Sequence, residues 1–497
     1  MSQISVNNLT FYYDGSYDSV FENVSFTIDT DWKLGFIGRN GRGKTTFLNL
    51  LLGKYEYQGS ITRSVQFDYF PYQIPEGYNK YDTIEVIESL YSDYELWRIC
   101  KELTQLQVDA QVLYRPFETL SNGEQTKVLL ALLFSKEHYF LLIDEPTNHL
   151  DYATRELIKE YLNTKKGYIL VSHDRDFLDA CIDHVLVLNK ADIIVEQGTF
   201  SSWWENKQRQ DAYELSENER LKKDIHRLEA SARQSSEWAD KVEASKIGFN
   251  PLQKDRGIDS RAYIGEKSRR MQQRRKNLEH RQQDALEEKK RLLKNIEKTE
   301  DLKLISLEFH KERFLEAIDV AIWYDNQKIT KDLNFVLNQG ERVALCGKNG
   351  CGKSSLLQCI LGKDIQTTGK LSVAHGLVIS YVPQDTSFLN GSLEDFIAQE
   401  RLNESLFKAV LRKLDFERVQ FGKRMEEFSQ GQKKKVLIAK SLCEQAHLYV
   451  WDEPLNYIDI FSRIQIEQLL QTFQPTLLFV EHDPTFVEKI ATKKIEF

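Results

Sequence analysis

Residues Gly38–Thr45 read GRNGRGKT, and Gly347–Ser354 read GKNGCGKS. Both fit the pattern G-x-x-x-x-G-K-[ST], in which glycines let backbone N–H groups curl around phosphate oxygens at the start of a helix. The apolar residues that follow (Phe47, Leu48, Leu50, Leu51; Leu356, Leu357, Ile360, Leu361) are spaced as the buried face of that helix. Three more pairs recur. LSNGEQ at Leu120–Gln125 returns as FSQGQK at Phe428–Lys433. LLIDEPTNHLD at Leu141–Asp151 returns as YVWDEPLNYID at Tyr449–Asp459, and VSHD at Val171–Asp174 as VEHD at Val480–Asp483. The offset is 308 or 309 residues throughout. That is a duplicated domain, since solenoid units repeat at roughly 20–50 residues.

The paired motifs carry phosphate chemistry. Lys44 and Lys353 are placed to reach β- and γ-phosphates, and the hydroxyls of Thr45 and Ser354 to hold Mg²⁺. Each Asp-Glu pair closes an apolar strand. Asp144 and Asp452 are the expected cation ligands, and Glu145 and Glu453 follow on the γ-phosphate side. A carboxylate there polarises an attacking water, which is worth roughly 10²–10⁴-fold. His173 and His482 lie 28 and 29 residues after the glutamates, matched positions suited to a γ-phosphate contact.

Composition narrows the class. The chain has 497 residues, 41% hydrophobic and 29% charged, which suits folded protein. Its longest apolar run, Val128–Phe134, falls far short of the ~20 residues of a membrane span. The start, MSQISVNNLTFYYD, has no basic and apolar leader pattern, so a cytoplasmic protein is expected. Six cysteines without C-x-x-C spacing argue against zinc or iron–sulfur sites. The net charge of −8 disfavours nucleic acid unless positive charge is concentrated somewhere.

It is concentrated between the repeats. Residues 203–308 are mostly polar, with apolar residues at helical spacing: Leu221, Ile225, Leu228 and Ala232, then Leu278, Ala285, Leu292 and Ile296. Such a narrow stripe suits a helical hairpin, with a loop tip near 243–267 marked by Gly248, Pro251, Gly257 and Gly265. Each arm of roughly 35 residues would extend ~50 Å. Lys241–Arg281 holds twelve basic and five acidic residues, and Lys267, Arg269, Arg270, Arg274, Arg275 and Lys276 form a run with no acid. That run is the candidate RNA-binding face. Phe249, Ile258, Tyr263 and Ile264 are apolar residues of the tip with no local core to bury them, and are candidates to pack on RNA.

The phosphate loops, the LSxGx segments, DEPTNHLD and SHD together resemble the ABC-type ATPase domain. Its two copies cover nearly all of the chain outside the middle. The resemblance implies an α/β fold of two ABC-type P-loop ATPase domains, 1–202 and 309–497, joined by the helical hairpin linker 203–308. The domains would pair head to tail within a monomer. ATP would be held by Gly38, Arg39, Asn40, Gly41, Arg42, Gly43, Lys44, Thr45 and Thr46 facing Ser429 and Gly431. The second ATP would be held by Gly347, Lys348, Asn349, Gly350, Cys351, Gly352, Lys353, Ser354 and Ser355 facing Ser121 and Gly123. Tyr13 and Tyr324 match the aromatic that stacks on adenine, and Gln384 the Q-loop glutamine that also serves Mg²⁺. In the first copy that place falls to Gln73 or Tyr72. Asn122 and Gln430 replace the first glycine of the family's LSGGQ. Leu455 and Tyr457 stand where the first copy has Thr147 and His149, so the sites are expected to hydrolyse ATP at different rates.

The long insert and the DEPTNHLD segment resemble the ABC-F class. Lys44 to Ser121 and Lys353 to Ser429 are 77 and 76 residues apart, leaving no room for the arm domain of housekeeping members. The pattern is similar to the antibiotic-resistance ribosome-protection group, most of all its Lsa-like members. That implies binding to the 70S ribosome at the E site, contact with large-subunit rRNA and P-site tRNA, and release of lincosamide, streptogramin A and pleuromutilin drugs. The alternatives are a housekeeping or stall-relieving ABC-F factor and, behind it, a transporter ATPase subunit; no membrane partner is expected.

Overall fold

The computed structural model describes residues 2–13, 19–75, 77–147, 150–189, 192–247, 302–304, 306–324 and 327–497. The chain divides into two compact units, Met1–Trp203 with Glu300–Phe497, and Trp204–Thr299. Both repeats lie in the first unit and share one mixed α/β plan.

In each repeat a mainly parallel sheet carries the site at the carboxyl ends of its strands. The first domain has six strands in the spatial order Gln66–Phe70, Tyr139–Asp144, Tyr168–Val171, Lys33–Ile37, His184–Leu188, Ile193–Gln197. Only the last pairing is antiparallel. The second has five parallel strands ordered Ile379–Val382, Leu448–Asp452, Leu477–Val480, Arg342–Cys346, Lys493–Glu496. Strands covered on both faces read as continuous apolar runs, and LLID and YVWD do so: Leu142, Ile143, Val450 and Trp451 are fully buried. A smaller antiparallel sheet flanks each: Gln3–Phe11 pairs with Phe21–Asp29 and Gln58–Thr62, and Arg313–Tyr324 with Leu333–Asn338 and Thr367–Val373.

The fourth strand in each order, Lys33–Ile37 or Arg342–Cys346, runs through its phosphate loop into a helix, Lys44–Leu51 or Lys353–Ile360. The glycine before each lysine has a left-handed backbone, with φ 106° at Gly43 and 95° at Gly352. A Cβ at Gly43 would lie 2.5 Å from Val20 Cγ1, and one at Gly352 2.6 Å from Thr330 Cγ2. Only glycine satisfies both demands at these turns.

After the first domain one helix, Phe200–Ile247, runs for 48 residues, about 72 Å at 1.5 Å per residue. It opens three residues before the expected start of the linker and is longer than the expected first arm. The second arm, the basic run Lys267, Arg269, Arg270, Arg274, Arg275 and Lys276, and the tip residues Phe249, Ile258, Tyr263 and Ile264 lie outside the described residues. The chain re-enters the second domain early: Leu302 and Leu304 are buried in its core, and Leu307 N–H donates to Ala446 O at 2.9 Å.

Candidate functional site

The two repeats meet so that each phosphate loop faces the other repeat's signature segment. In the first site Gly431 packs against the loop: a Cβ there would lie 3.2 Å from Asn40 Nδ2 and 2.5 Å from Tyr457 O. Asn40 Nδ2 itself donates to Tyr457 O at 2.9 Å, and Arg39 pairs with Asp415 at 2.8 Å. In the second site a cavity of about 430 Å³ opens between the domains. Lys353, Ser354, Gln384, Glu453 and His482 line it from one side, Asn122 and Arg155 from the other. Arg155 Nη1 donates to His482 O at 3.3 Å.

Ser121 and Ser429 cap the helices Asn122–Ser135 and Gln430–Cys443, each in a reciprocal box with the third helical residue, Glu124 or Gln432. The S-x-G-[EQ] pattern thus builds a helix N-terminus, whose N–H groups and dipole favour an anion. Gly123 is less confined than Gly431, its nearest neighbour being Thr154 Cγ2 at 3.3 Å.

Both loop lysines fold back onto their loops. Lys44 Nζ donates to Gly38 O at 2.6 Å, Lys353 Nζ to Gly347 O and Lys348 O at 2.8 Å. Burial pulls the Lys44 ammonium below its ordinary range, against the pull of Asp459, Glu145 and Asp144. Cys351 Sγ sits 3.9 Å from Lys353 Nζ. Tyr13 and Tyr324 stay half exposed over the loops, tethered through their hydroxyls to Thr46 at 2.7 Å and Ser355 at 3.2 Å.

The two acid pairs differ. Thr45 lies beside Asp144 and Ser354 beside Asp452, each hydroxyl pulling its carboxyl downward. Burial raises both aspartates, Asp452 to about 6. The buried Oδ1 of Asp452 has no hydrogen-bond partner, so an acceptor stands beside a hydroxyl where a divalent cation fits. Burial and then the charge of Asp144 push Glu145 up to about 8. Burial also raises Glu453, but His482, Lys434 and Gln384 outweigh it and hold the carboxyl below its ordinary range. Glu453 Oε2 accepts from Gln384 Nε2 at 2.8 Å and Asn456 Nδ2 at 2.6 Å. His173 Nε2 lies 3.3 Å from Glu145, and His482 Nε2 3.4 Å from Glu453. Burial, then Lys44 and Arg463, holds His173 well below its ordinary range.

Strand register separates Gln73 from Tyr72. Tyr69 pairs with Leu142 and Tyr381 with Val450, so Pro71 answers to Pro383 and Tyr72 to Gln384. Tyr72 donates to Asp68 Oδ2 at 2.5 Å, away from Glu145, and Gln73 is exposed. Tyr69 occupies the acid pair instead, donating to Asp144 Oδ2 at 3.0 Å.

Single motifs in the sequence did not reveal Arg155, Asn456, Lys434 or Asp415. For Arg155 a signal was available, because Arg463 repeats it at the same offset. Arg463 is buried in the second domain, 3.4 Å from Asp483.

The family profile described as ABC transporter matches residues 21–148 and 330–456. The chain is 29% identical over 496 residues to the ribosome protection protein VmlR of Bacillus subtilis (strain 168), covering 97% of this chain and 85% of that one. It is 23% identical to ABC transporter F family member 2 of Arabidopsis thaliana, covering 100% and 76%. A solved structure titled for ribosome-bound archaeal Pelota and ABCE1 superposes with a TM-score of 0.62 at 18% identity, covering 99% of this chain and 76% of that one.

Proposed function

The chain belongs to the ABC transporter family, and from that premise we propose that it is an ABC-F protein of the antibiotic-resistance ribosome-protection group, Lsa-like in its motif pattern. It is an ATPase. In this reading it acts in the cytoplasm as a monomer. Its ATP-bound, closed form binds the 70S ribosome at the E site beside P-site tRNA. There the linker, through large-subunit rRNA, promotes release of drugs at the peptidyl-transferase centre.

The observation that carries the reading is the pairing of each loop with the other repeat's signature inside one chain, with a 48-residue helix following the first repeat in sequence. ATP then acts as a clamp between the two halves that the linker joins. The similarity to VmlR along 97% of the chain supports the ribosome as target.

In each site the lysine and loop N–H groups hold the phosphates, and Ser429 with Gly431, or Ser121 with Gly123, closes over the γ-phosphate. Tyr13 and Tyr324 stack on adenine. Mg²⁺ would be held by Thr45 and Asp144, and by Ser354, Gln384 and Asp452, where it neutralises developing phosphate charge. Glu145 and Glu453 orient the attacking water, with His173 and His482 on the γ-phosphate.

Pelleting with 70S ribosomes tests this. The protein should co-sediment with a non-hydrolysable ATP analogue and stay in solution with ADP. No pelleting in either state refutes the ribosome as partner. Pelleting without any change in drug susceptibility would favour a housekeeping factor.

A further inference from the structure

The two repeats join the signature helix to the catalytic core differently. In the second domain Lys434 lies in the helix Gln430–Cys443 and is 2% exposed. Its Nζ donates to Pro383 O at 2.9 Å and to Asp452 O at 3.4 Å. Near the start of that helix, Thr386 Oγ1 donates to Gln430 Oε1 at 2.6 Å. Pro383 and Thr386 bracket Gln384, whose side chain holds Glu453. The segment Pro383–Thr386 is therefore bound to the signature helix at both ends and to the second site in its middle. The helix it grips presents Gly431 to the first site, against Asn40.

The first domain lacks the pieces. By register, Ile74 stands at the Thr386 position, and it has no donor. Asn122 stands for Gln430 and Thr126 for Lys434. The Thr126 hydroxyl turns back to its own helix, bonding Asn122 O at 2.9 Å. An ammonium is costly to bury unless its donors are used. Lys434 spends them on a loop and a strand end that belong to the second site, with Glu481, Asp452 and Glu453 as the surrounding charges.

We propose that Lys434 is a positioning residue that sets the signature of the first site according to the nucleotide held at the second. This rests on the reading of both sites as composite ATP sites. A γ-phosphate that engages Gln384 and Glu453 fixes the Pro383–Thr386 segment, and the two ties carry that fix to the N-terminus of the signature helix. Coupling of this kind needs a packed element that both sites bias. It need not be symmetric in turnover, although it is reciprocal in binding.

Steady-state ATPase assays on the full chain test it. Turnover of the first site is read in Glu453→Gln, where the second site holds ATP without hydrolysing it, and in Lys353→Ala, where the second site is empty. The occupied state should turn over about tenfold faster than the empty one. Adding Lys434→Met to each should bring that ratio close to one while the KM for ATP of the first site stays within twofold, because Lys434 touches no part of the first loop. Thr386→Val, which cuts the other tie with almost no change of side-chain shape, should give the same loss. The role is overturned by a ratio near one in the parent pair, a tenfold ratio that survives both variants, or a KM that rises as kcat falls. If Glu453→Gln alone leaves total turnover at the parental level, the assignment of the composite sites fails, independently of Lys434.

Discussion

Alanine at the two signature glycines should have unequal effects. At Gly431 the added Cβ would lie 2.5 Å from the Tyr457 carbonyl oxygen and 3.2 Å from Asn40 Nδ2. The first distance is roughly 0.8 Å short of the ~3.3 Å at which carbon and oxygen meet without strain. The obstacle is backbone, so either the signature helix or the Tyr457 loop must move. Moving the loop breaks the Asn40–Tyr457 bond, a loss of ~1 kcal/mol, on top of ~1–3 kcal/mol for overpacking. The overpacking is internal to the second domain and lowers its stability, while the lost bond of ~1 kcal/mol falls on closure of the first site and lowers its turnover roughly fivefold. At Gly123 the neighbour is the end of the Thr154 side chain at 3.3 Å, which can turn away. The second site should lose less than about twofold. The assay is ATP turnover of each site, isolated by Glu→Gln in the other, with the melting temperature as a check on folding. Equal losses, or a larger loss for Gly123→Ala, would refute the packing argument.

Joint replacement of Glu145 and Glu453 by Gln should leave ATP binding intact and slow hydrolysis by ~10²–10⁴-fold, measured by equilibrium binding and phosphate release. Brief maleimide labelling should modify Cys351 first. Burial raises the Cys181 and Cys443 thiols to about 12 and pushes Cys346 and Cys359 up as well, whereas Cys351 sits in the loop beside Lys353. Peptide mapping should show that ATP shields it. Reversing Lys267, Arg269, Arg270, Arg274, Arg275 and Lys276 to Glu should weaken ribosome binding and flatten its dependence on salt, with ATPase activity of the free protein unchanged.

The loops, the acid pairs and the domain duplication were legible because each rests on a handful of adjacent residues whose spacing is the structure. The Q-loop of the first domain was not. The local sequence FPYQ permits Gln73 or Tyr72, and only the pairing of Tyr69 with Leu142, 73 residues away along the chain, aligns Tyr72 with Gln384. The tie through Lys434 was hidden for the same reason. A lysine in a KKK run reads as solvated surface until the fold brings Pro383 O to within 2.9 Å of it. Arg39 and Asp415 are 376 residues apart, and nothing local to either names the other. The re-entry at Leu302 and Leu304 follows a polar stretch whose composition continues up to it, so two buried leucines did not mark a boundary.

In the proposed function the closed, ATP-bound protein relieves inhibition of the ribosome. The most direct measurement is the susceptibility of a drug-sensitive bacterium expressing this chain to a lincosamide, a streptogramin A and a pleuromutilin. The minimum inhibitory concentration of at least one should rise severalfold with the parent protein, and the rise should vanish with the Glu145→Gln, Glu453→Gln variant. Unchanged susceptibility to all three, in cells where the protein is present and pellets with ribosomes, would contradict the claim.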